Sequence, residues 1–425
     1  MAPKKLCALG CFLVFAWEGT ASADDLAMET AVRIALEKNR DVIASRFEVE
    51  AAQIDRIAAG VYWNPTLTYS VGNIAIGTAN TNNMPMSSGP FSQLVHNVGV
   101  SDVIDVWFKR STRIDVANTG IEVHKLRVED VLRDIVFTVR TSFLDLVREQ
   151  EETELARTMN GRYSETVRLA RARVSAGEIS PSEGQKIELE SLKYQNALID
   201  AELELDLARE RLARLLGLAS RNELPGKAVV AQSPRVPPAL APLVQRGLEN
   251  RPDLRAAKKG QSWADAMLSS SRREGFPDIA LGLGYTHSEF TASGDNGNTL
   301  GFWVALPLPI FDHNQAGIAR ARLERSRADN DTVKLTLDVQ HDVAEAVRRL
   351  ERADALLDIY EDGGMLTRAD NALAVAEKSY KAGAISLLEL LEAQRTYIET
   401  RSQYLRAQDD WRKATVEVLH ATGER

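Results

Sequence analysis

The sequence predicts a mainly α-helical fold with a membrane β-barrel, built from two tandem structural repeats. Three observations support this fold class: a Gly–Ser phrase that occurs twice, four strand-length segments of alternating apolar residues, and very long stretches of helical periodicity. Each half of the chain therefore combines long helices with one short hairpin of strands.

The repeated phrase marks the same feature in each half of the chain. Val174–Ser180 is Val-Ser-Ala-Gly-Glu-Ile-Ser, and Tyr380–Ser386 is Tyr-Lys-Ala-Gly-Ala-Ile-Ser. Glycine readily ends a helix in the left-handed conformation and serine starts the next helix as an N-cap. Gly177 with Ser180 and Gly383 with Ser386 therefore predict two helical hairpin tips. The tips lie about 206 residues apart, which indicates an internal repeat.

The repeat divides the chain into successive segments. We predict a signal peptide at 1–23, a first repeat at 24–223, a Pro-rich linker at 224–242 and a second repeat at 243–425. The first repeat contains a β-hairpin at about 66–104 and a tip near 177. The second contains a β-hairpin at about 278–306 and a tip near 383.

The first residues have the features of a secretory signal. Lys4 and Lys5 precede an apolar stretch, and Ala21-Ser-Ala23 is a small-residue cleavage site. Both cysteines, Cys7 and Cys11, lie within this signal, so the exported chain is expected to carry no thiol. A lipid anchor on Cys11 is the alternative, although the apolar stretch continues past that residue.

Four segments have the length and alternation of membrane-spanning strands. Each has roughly 9–11 residues, as a tilted strand needs, with one apolar face and one small or polar face. Two hairpins of a soluble sandwich are the alternative, but the remaining chain is too helical to supply further strands. The residues predicted to face lipid are Leu67, Tyr69, Val71, Val98, Val100, Ile279, Leu281, Leu283, Tyr285, Phe302 and Val304.

Four strands cannot close a barrel, and open strand edges would leave unpaired backbone groups in hydrocarbon. Oligomerisation is therefore expected. Three chains give about twelve strands, within the range known for such barrels, whereas two give about eight strands and little lumen.

Long helices are predicted beyond the strands. Thr112–Ser175 and Gln315–Lys381 each have about 60 residues without proline, enough for helices of roughly 90 Å. Shorter return helices are predicted at Ser182–Leu216 and Leu387–Leu419. Near the start of each repeat a helix break is expected, at Asn39 and at Arg251-Pro252. A coiled-coil scaffold would share the helical periodicity but would not need the strands.

These features resemble the TolC family of outer-membrane efflux proteins across essentially the whole mature chain. Val103–Arg110 and Leu306–Gln315 are similar to the branch that serves cobalt–zinc–cadmium efflux systems, although Trp107-Phe108 stands where that branch usually has glycines. The resemblance implies a homotrimer with a twelve-stranded barrel and a long α-helical periplasmic tunnel. It also implies that the tips dock on a periplasmic adaptor, a membrane fusion protein, coupled to an inner-membrane pump of the RND type.

The resemblance also assigns residues to a gate at the tips. Glu389 and Glu392 share one helix face, and in three chains they would form two stacked carboxylate rings that prefer cations. Glu183 stands at the position of Glu389 in the first repeat. Ordinary solvated helix charges are the alternative interpretation. Tyr380 matches a family position whose phenol bonds the neighbouring tip, which implies a Tyr380–Glu183 latch.

The sequence shows no enzyme site. Its six histidines lack paired metal-ligand spacing, and we expect neither a cofactor nor a resident metal. The formal net charge of −8 argues against nucleic acid as a partner. The expected function is a passive exit duct for divalent heavy-metal cations, in the outer membrane of a Gram-negative bacterium, with a large periplasmic portion. The alternatives are the same duct for drugs or secreted polypeptides, and a periplasmic coiled-coil scaffold without a pore.

Overall fold

A computed structural model describes residues 25–74, 91, 94–230, 235, 239–289 and 297–424. The predicted signal peptide at 1–23 lies outside the described residues, as do parts of the predicted linker and of both strand-connecting loops.

The two repeats fold into the same order of elements, which confirms the tandem architecture. In each, a pair of helices leads to two strands, and long helices follow. The first repeat contains β1 (Leu26–Ala27), α1 (Met28–Lys38), α2 (Arg40–Gly60), β2 (Thr66–Gly72), β3 (Val95–Ile104), α3 (Lys109–Ser175) and α4 (Pro181–Leu215). The short strand β4 (Ala228–Val229) follows in the connection between the repeats. The second repeat contains α5 (Leu240–Asn250), α6 (Pro252–Glu274), β5 (Ile279–Ser288), β6 (Asn298–Ala305), α7 (Gln315–Tyr360), α8 (Met365–Lys381) and α9 (Leu387–Ala421).

The helix breaks expected near the start of each repeat are confirmed. Asn39 separates α1 from α2 with an extended backbone, and its side-chain amide donates to the carbonyl of Leu215 at 2.8 Å. Its Oδ1 accepts the backbone N–H of Asp41 at 2.8 Å, so this side chain also caps α2. In the second repeat Arg251 has a non-helical backbone, with φ −58° and ψ 122°, and Pro252 begins α6, because proline disfavours a helical residue before it.

The long helix predicted over Gln315–Lys381 is interrupted. Gly363 and Gly364 separate α7 from α8, and Gly364 has a φ of 69°. A Cβ at Gly363 would lie 2.5 Å from the carbonyl oxygen of Ile359, so both positions favour glycine. The corresponding helix of the first repeat, α3, is continuous over 67 residues.

Among the described helices, none combines the length and the apolar character needed to cross a membrane.

The four long strands form one antiparallel sheet in the order β2-β3-β5-β6. Leu67 pairs with Val100, Val100 with Leu283, and Leu283 with Phe302. Directly paired residues point to the same side of an antiparallel sheet. The register therefore places all residues predicted to face lipid on a single face; contact with lipid itself stays a prediction.

The opposite face of the sheet is lined mainly by small or polar residues, with one large aromatic exception. The indole of Trp303 lies across Gly282, its paired residue, and a Cβ at Gly282 would lie 2.0 Å from the indole Cε2. An aromatic ring over a strand glycine covers backbone that would otherwise be bare. Residue 282 must therefore be glycine for the ring to keep this position.

A second, two-stranded sheet was not predicted. β4 lies within the segment predicted as a linker and pairs in parallel with β1, so that Leu26 lies opposite Ala228. Leu26 is buried and belongs to a core with Phe143 and Leu212. Strands of two residues are too short for an alternating pattern, which explains why the sequence did not reveal them.

The chain divides into two compact units, and each draws on both repeats. One takes the described residues within Met1–Ser45, Val128–Pro252 and Leu337–Arg425. The other takes those within Arg46–Arg127 and Asp253–Thr336. The hairpin tips belong to the first unit, and the four-stranded sheet belongs to the second.

Candidate functional site at the helical tips

Both hairpin tips have the same backbone geometry. Gly177 and Gly383 each have a φ of 75°, in the left-handed region where a side chain is strained. The N–H of Gly177 donates to the carbonyl of Val174 at 3.1 Å, and that of Gly383 to the carbonyl of Tyr380 at 3.0 Å. The glycines therefore close the ends of α3 and α8 as the repeated phrase predicts.

Ser180 and Ser386 begin the return helices with complete capping boxes. Ser180 Oγ accepts the backbone N–H of Glu183 at 3.2 Å, and the Glu183 carboxylate accepts the backbone N–H of Ser180 at 3.2 Å. Ser386 and Glu389 repeat both bonds at 3.3 Å. Two of the predicted gate acids therefore also stabilise the first turns of α4 and α9. The Ser-x-x-Glu spacing was the sequence signal for this role.

Glu392 is exposed one turn further along α9, on the same side as Glu389. Its nearest cation in sequence is Arg395. A hydrogen bond from Arg395 to Glu399, the charge of Glu399 and then that of Glu392 raise the pKa of Arg395. Glu183, Glu389 and Glu392 are all exposed in the single chain, so each carboxylate is open to cations in solution.

Tyr380 does not bond to Glu183 in this structure. Its side chain is buried, with 3% of its surface exposed, and its hydroxyl has no hydrogen-bond partner among the described residues. Glu183 takes part in the capping box through Oε2, and the predicted latch is not formed within the chain.

Arg173 joins the two tips instead, and sequence reasoning missed it. From the last turn of α3, its Nη2 donates to the carbonyls of Tyr380 at 2.9 Å and Lys381 at 3.1 Å. Its guanidinium lies 4.8 Å from the centre of the Tyr380 ring, and its Nε is 3.6 Å from the carboxylate of Glu178. Every residue has a backbone carbonyl, so these acceptors cannot be identified from the sequence. The sequence signal for this contact was a cation in the last turn of a helix.

A second link lies further from the tips. Arg162 Nη1 on α3 donates to Glu377 Oε1 on α8 at 2.9 Å. Arg162, Glu377 and Tyr380 line an open cleft of about 390 Å³ beside this ion pair. The first tip is therefore tied to the second at two levels.

A cluster of charged residues joins α3 to α9 away from the tips. Asp409 is buried and accepts from Lys413 Nζ at 2.7 Å, and Lys413 also donates to Asp145 at 2.5 Å. Burial raises the pKa of Asp409 despite the opposing effects of Lys413 and Arg148. Burial likewise raises the pKa of Glu151, which lies 3.4 Å from Arg412.

Metal-ligating side chains do not cluster in the described part of the chain, where no three His, Cys, Asp or Glu residues form a group able to hold a metal ion. A conduction path needs no such group, because cargo that binds tightly leaves slowly.

Comparisons with known proteins agree with this architecture. The family described as outer membrane efflux protein matches residues 31–218 and 243–424. CzcC, a cobalt-zinc-cadmium resistance protein of Cupriavidus metallidurans, is 27% identical over 388 residues, which cover 90% of this chain and 87% of CzcC. OpmQ, a pyoverdine export outer membrane protein of Pseudomonas putida, is 23% identical over 423 residues, covering 96% of this chain and 87% of OpmQ.

A solved structure of CusC has the same fold. It matches with a TM-score of 0.76 at 19% identity and covers 94% of this chain and 93% of the CusC chain. The family match spans both repeats, from the first helices to the last turn of α9. The chain therefore belongs to the outer membrane efflux protein family and is an outer-membrane efflux channel.

Proposed function

We propose that this chain is the exit duct of a tripartite efflux system and that its cargo is divalent heavy-metal cations. The main observation that supports a duct is a sheet with two open edges: β2 and β6 each have one partner among the described strands. The similarity to CzcC over most of both chains supports the cargo class.

The open edges support a homotrimer. When β6 of one chain pairs with β2 of the next, the contact repeats head to tail and closes after a fixed number of chains. Three chains give about twelve strands, enough for an open lumen. Helix α4 also supports a homotrimer, because it carries an exposed apolar stripe at coiled-coil spacing that suits packing against a helix of a neighbouring chain. It consists of Leu189, Leu192, Ile199, Leu203 and Leu207.

The tips form the gate in this proposal. Three chains bring together the carboxylates of Glu389 and Glu392, and Glu183 lies at the matching place on the first tip. The capping box uses Oε2 of Glu389 and leaves Oε1 outside that bond. Closely spaced carboxylates attract cations and repel anions. Arg173 holds the two tips of each chain together.

The tips also supply the contact with the other components. Gly177, Ser180, Gly383 and Ser386 shape two similar exposed turns that suit a periplasmic adaptor, and the adaptor couples the duct to an inner-membrane pump of the RND type. The duct performs no chemistry of its own and uses no cofactor.

A deletion strain tests the cargo. Loss of the gene should sensitise cells to cobalt, zinc or cadmium ions, and a plasmid copy should restore tolerance. A copy with Glu389→Gln and Glu392→Gln keeps the shape of both side chains and should restore tolerance only in part. Unchanged metal tolerance with impaired export of an organic molecule would favour the role suggested by OpmQ. Absence of conductance in a planar bilayer, both for the purified wild type and for the Arg173→Ala variant, would rule out a duct.

A further inference from the structure

Two histidines lie beside each other on the four-stranded sheet. His96 on β3 and His287 on β5 are directly paired across the two antiparallel strands, and their rings are stacked with 6.4 Å between ring centres. Directly opposed side chains share one side of a sheet and lie within reach of each other. The two residues come from different repeats, so their spacing in the sequence does not reveal the pair.

The pair lies at the end of the sheet that is farthest from the neighbouring helices. β3 leads towards α3 through Ile104, whereas His96 stands near the start of that strand. β5 begins at Ile279 after α6, and His287 stands near its end. His96 is half-buried and His287 is exposed, on the same side of the sheet as Val98. Both rings are therefore accessible at the edge of the face predicted to meet lipid.

Each imidazole is held through its Nδ1 atom. His287 Nδ1 lies 2.9 Å from Oδ1 of Asn298, and the same oxygen accepts from the hydroxyl of Tyr285. Because an amide oxygen only accepts hydrogen bonds, His287 carries its proton on Nδ1 and keeps a lone pair on Nε2. His96 Nδ1 lies 2.9 Å from the hydroxyl of Tyr69, which can accept as well as donate. Such partners orient imidazoles that bind a metal through the other nitrogen.

A carboxylate adds negative charge beside the pair. Glu289 Oε1 lies 3.8 Å from His96 Nε2, beyond hydrogen-bond reach. The backbone N–H of Glu289 donates to the carbonyl of Leu94 at 2.9 Å, which holds residue 289 next to the start of β3. A negative charge at this distance favours a cation at His96 Nε2.

The spacing of the two rings suits one shared ion. Imidazole nitrogens bind zinc at about 2.0–2.1 Å, which puts the centres of two imidazoles on one ion roughly 5–6 Å apart. The observed separation of 6.4 Å therefore needs only small side-chain rotations. Two protein ligands are fewer than a structural metal requires, and the described residues contain no group of three metal-ligating side chains. Water completes the shell of such an ion, so it binds reversibly.

We propose that His96 and His287 bind a divalent transition-metal ion of the zinc–copper class through their Nε2 atoms, and that this ion clamps β3 to β5. Imidazole nitrogens suit zinc, copper and nickel, whereas magnesium and calcium prefer oxygen ligands. The clamp ties the first repeat to the second at a strand end, where pairing opens most readily. An ion that binds only the paired strands stabilises their pairing by mass action. This role goes beyond the proposed duct and does not depend on its cargo.

Metal binding by the purified protein tests the site. The full chain, purified in detergent with a tag that lacks histidine, would be titrated with zinc chloride in a calorimeter. We expect the wild type to bind one zinc ion per chain at this site, and His96→Gln and His287→Gln each to weaken that binding by about tenfold or more. His341→Gln is the matched control, because His341 is an exposed histidine on α7. This variant should bind zinc like the wild type, and magnesium should not displace the zinc.

Two further measurements report the ligands and the clamp. Cu²⁺ bound to the wild type should show two imidazole nitrogens by electron paramagnetic resonance, and it should bind more tightly than zinc. Zinc should slow amide hydrogen exchange around Val95 and Ser288 in the wild type. In the double variant with His96→Gln and His287→Gln, zinc should leave this exchange unchanged.

The outcomes separate this inference from the proposed function. Equal zinc binding by the wild type and the double variant would overturn the site, as would copper bound through fewer than two imidazoles. Zinc binding without slower exchange would overturn the clamp. The double variant should still conduct like the wild type in a planar bilayer, because the pair lies outside the predicted lumen. A wild type that binds zinc here but never conducts would overturn the duct and leave the clamp standing.

Discussion

Replacing Arg173 with alanine should release the second tip from the first. The change removes two hydrogen bonds from a charged donor to the carbonyls of Tyr380 and Lys381, and one contact between a cation and an aromatic ring. Hydrogen bonds to charged groups contribute about 1.5–3 kcal/mol each, and a cation over a ring about 0.5–1 kcal/mol. Water replaces part of the lost hydrogen bonding, because the Arg173 side chain is 21% exposed. We expect a net loss of about 2 kcal/mol, which shifts an equilibrium by about 30-fold.

The measurement is ion conductance of the purified channel in a planar bilayer. Arg173→Ala should raise the open probability or the conductance at low voltage, because a freed tip leaves the closed arrangement more often. Arg171→Ala is the matched control: Arg171 lies two residues away and pairs with Glu188 at 2.8 Å, but it is 70% exposed. Exposed ion pairs contribute about 0–1 kcal/mol, so this variant should conduct like the wild type.

One combination of results would refute the role of Arg173. If Arg173→Ala conducts like the wild type, and amide exchange around Tyr380 is also unchanged, Arg173 does not hold the tips together. A lower conductance would show that Arg173 keeps the tips open. Arg173→Lys keeps the charge but loses the planar fork, and should fall between the wild type and alanine.

Three further changes test other parts of the fold. Asp409→Asn should weaken the gain in heat stability on acidification towards a pH of about 3.9. Burial raises the folded-state pKa of Asp409, so its ionised carboxylate is destabilising above that pKa, and the penalty is lost as the pH falls from the folded pKa to the unfolded value of about 3.9. Gly282→Ala should lower sheet stability by about 1–3 kcal/mol through a clash with Trp303, and a second change, Trp303→Ala, should recover part of the loss in thermal melting. Ser180→Ala should cost about 1 kcal/mol locally and speed amide hydrogen exchange in the first turn of α4.

Each of these changes has a matched control. Glu165→Gln should slightly weaken the loss of heat stability on acidification, which is an effect of opposite sign. A hydrogen bond from Arg168 lowers the pKa of this exposed acid, so its stabilising contribution is lost as the pH falls. Gly284→Ala should melt like the wild type, since its Cβ would meet no atom closer than 3.8 Å. Ser182→Ala should leave exchange unchanged. Equal behaviour of a variant and its control would contradict the corresponding contact.

The features that the sequence predicted well depend on local backbone chemistry. Gly383 and Ser386 form a tip because a left-handed glycine and an N-cap act within a few residues. Asn39 breaks a helix for a similar local reason. The strand register also follows from alternation, which fixes the side of the sheet that each residue faces.

The features that the sequence did not predict depend on contacts between distant residues, or on weak local signals. Arg173 donates to carbonyl oxygens, which every residue carries, so no residue type identifies the partner. The break at Gly363-Gly364 was visible as two glycines, but helical periodicity on both sides concealed it. The compact units interleave the repeats because the sheet pairs strands from both, and a repeat boundary in sequence does not report such pairing.

The central pairing of the sheet joins the two repeats, and this has a consequence for biogenesis. β3 comes from the first repeat and β5 from the second, and their register runs from Val95 opposite Ser288 to Ile104 opposite Ile279. When the chain is exported from its N-terminus, the first hairpin emerges well before its partner strand β5. Until β5 arrives, the unpaired edge of β3 is open to mispairing with other strands, which makes the assembly of this sheet slow and prone to aggregation.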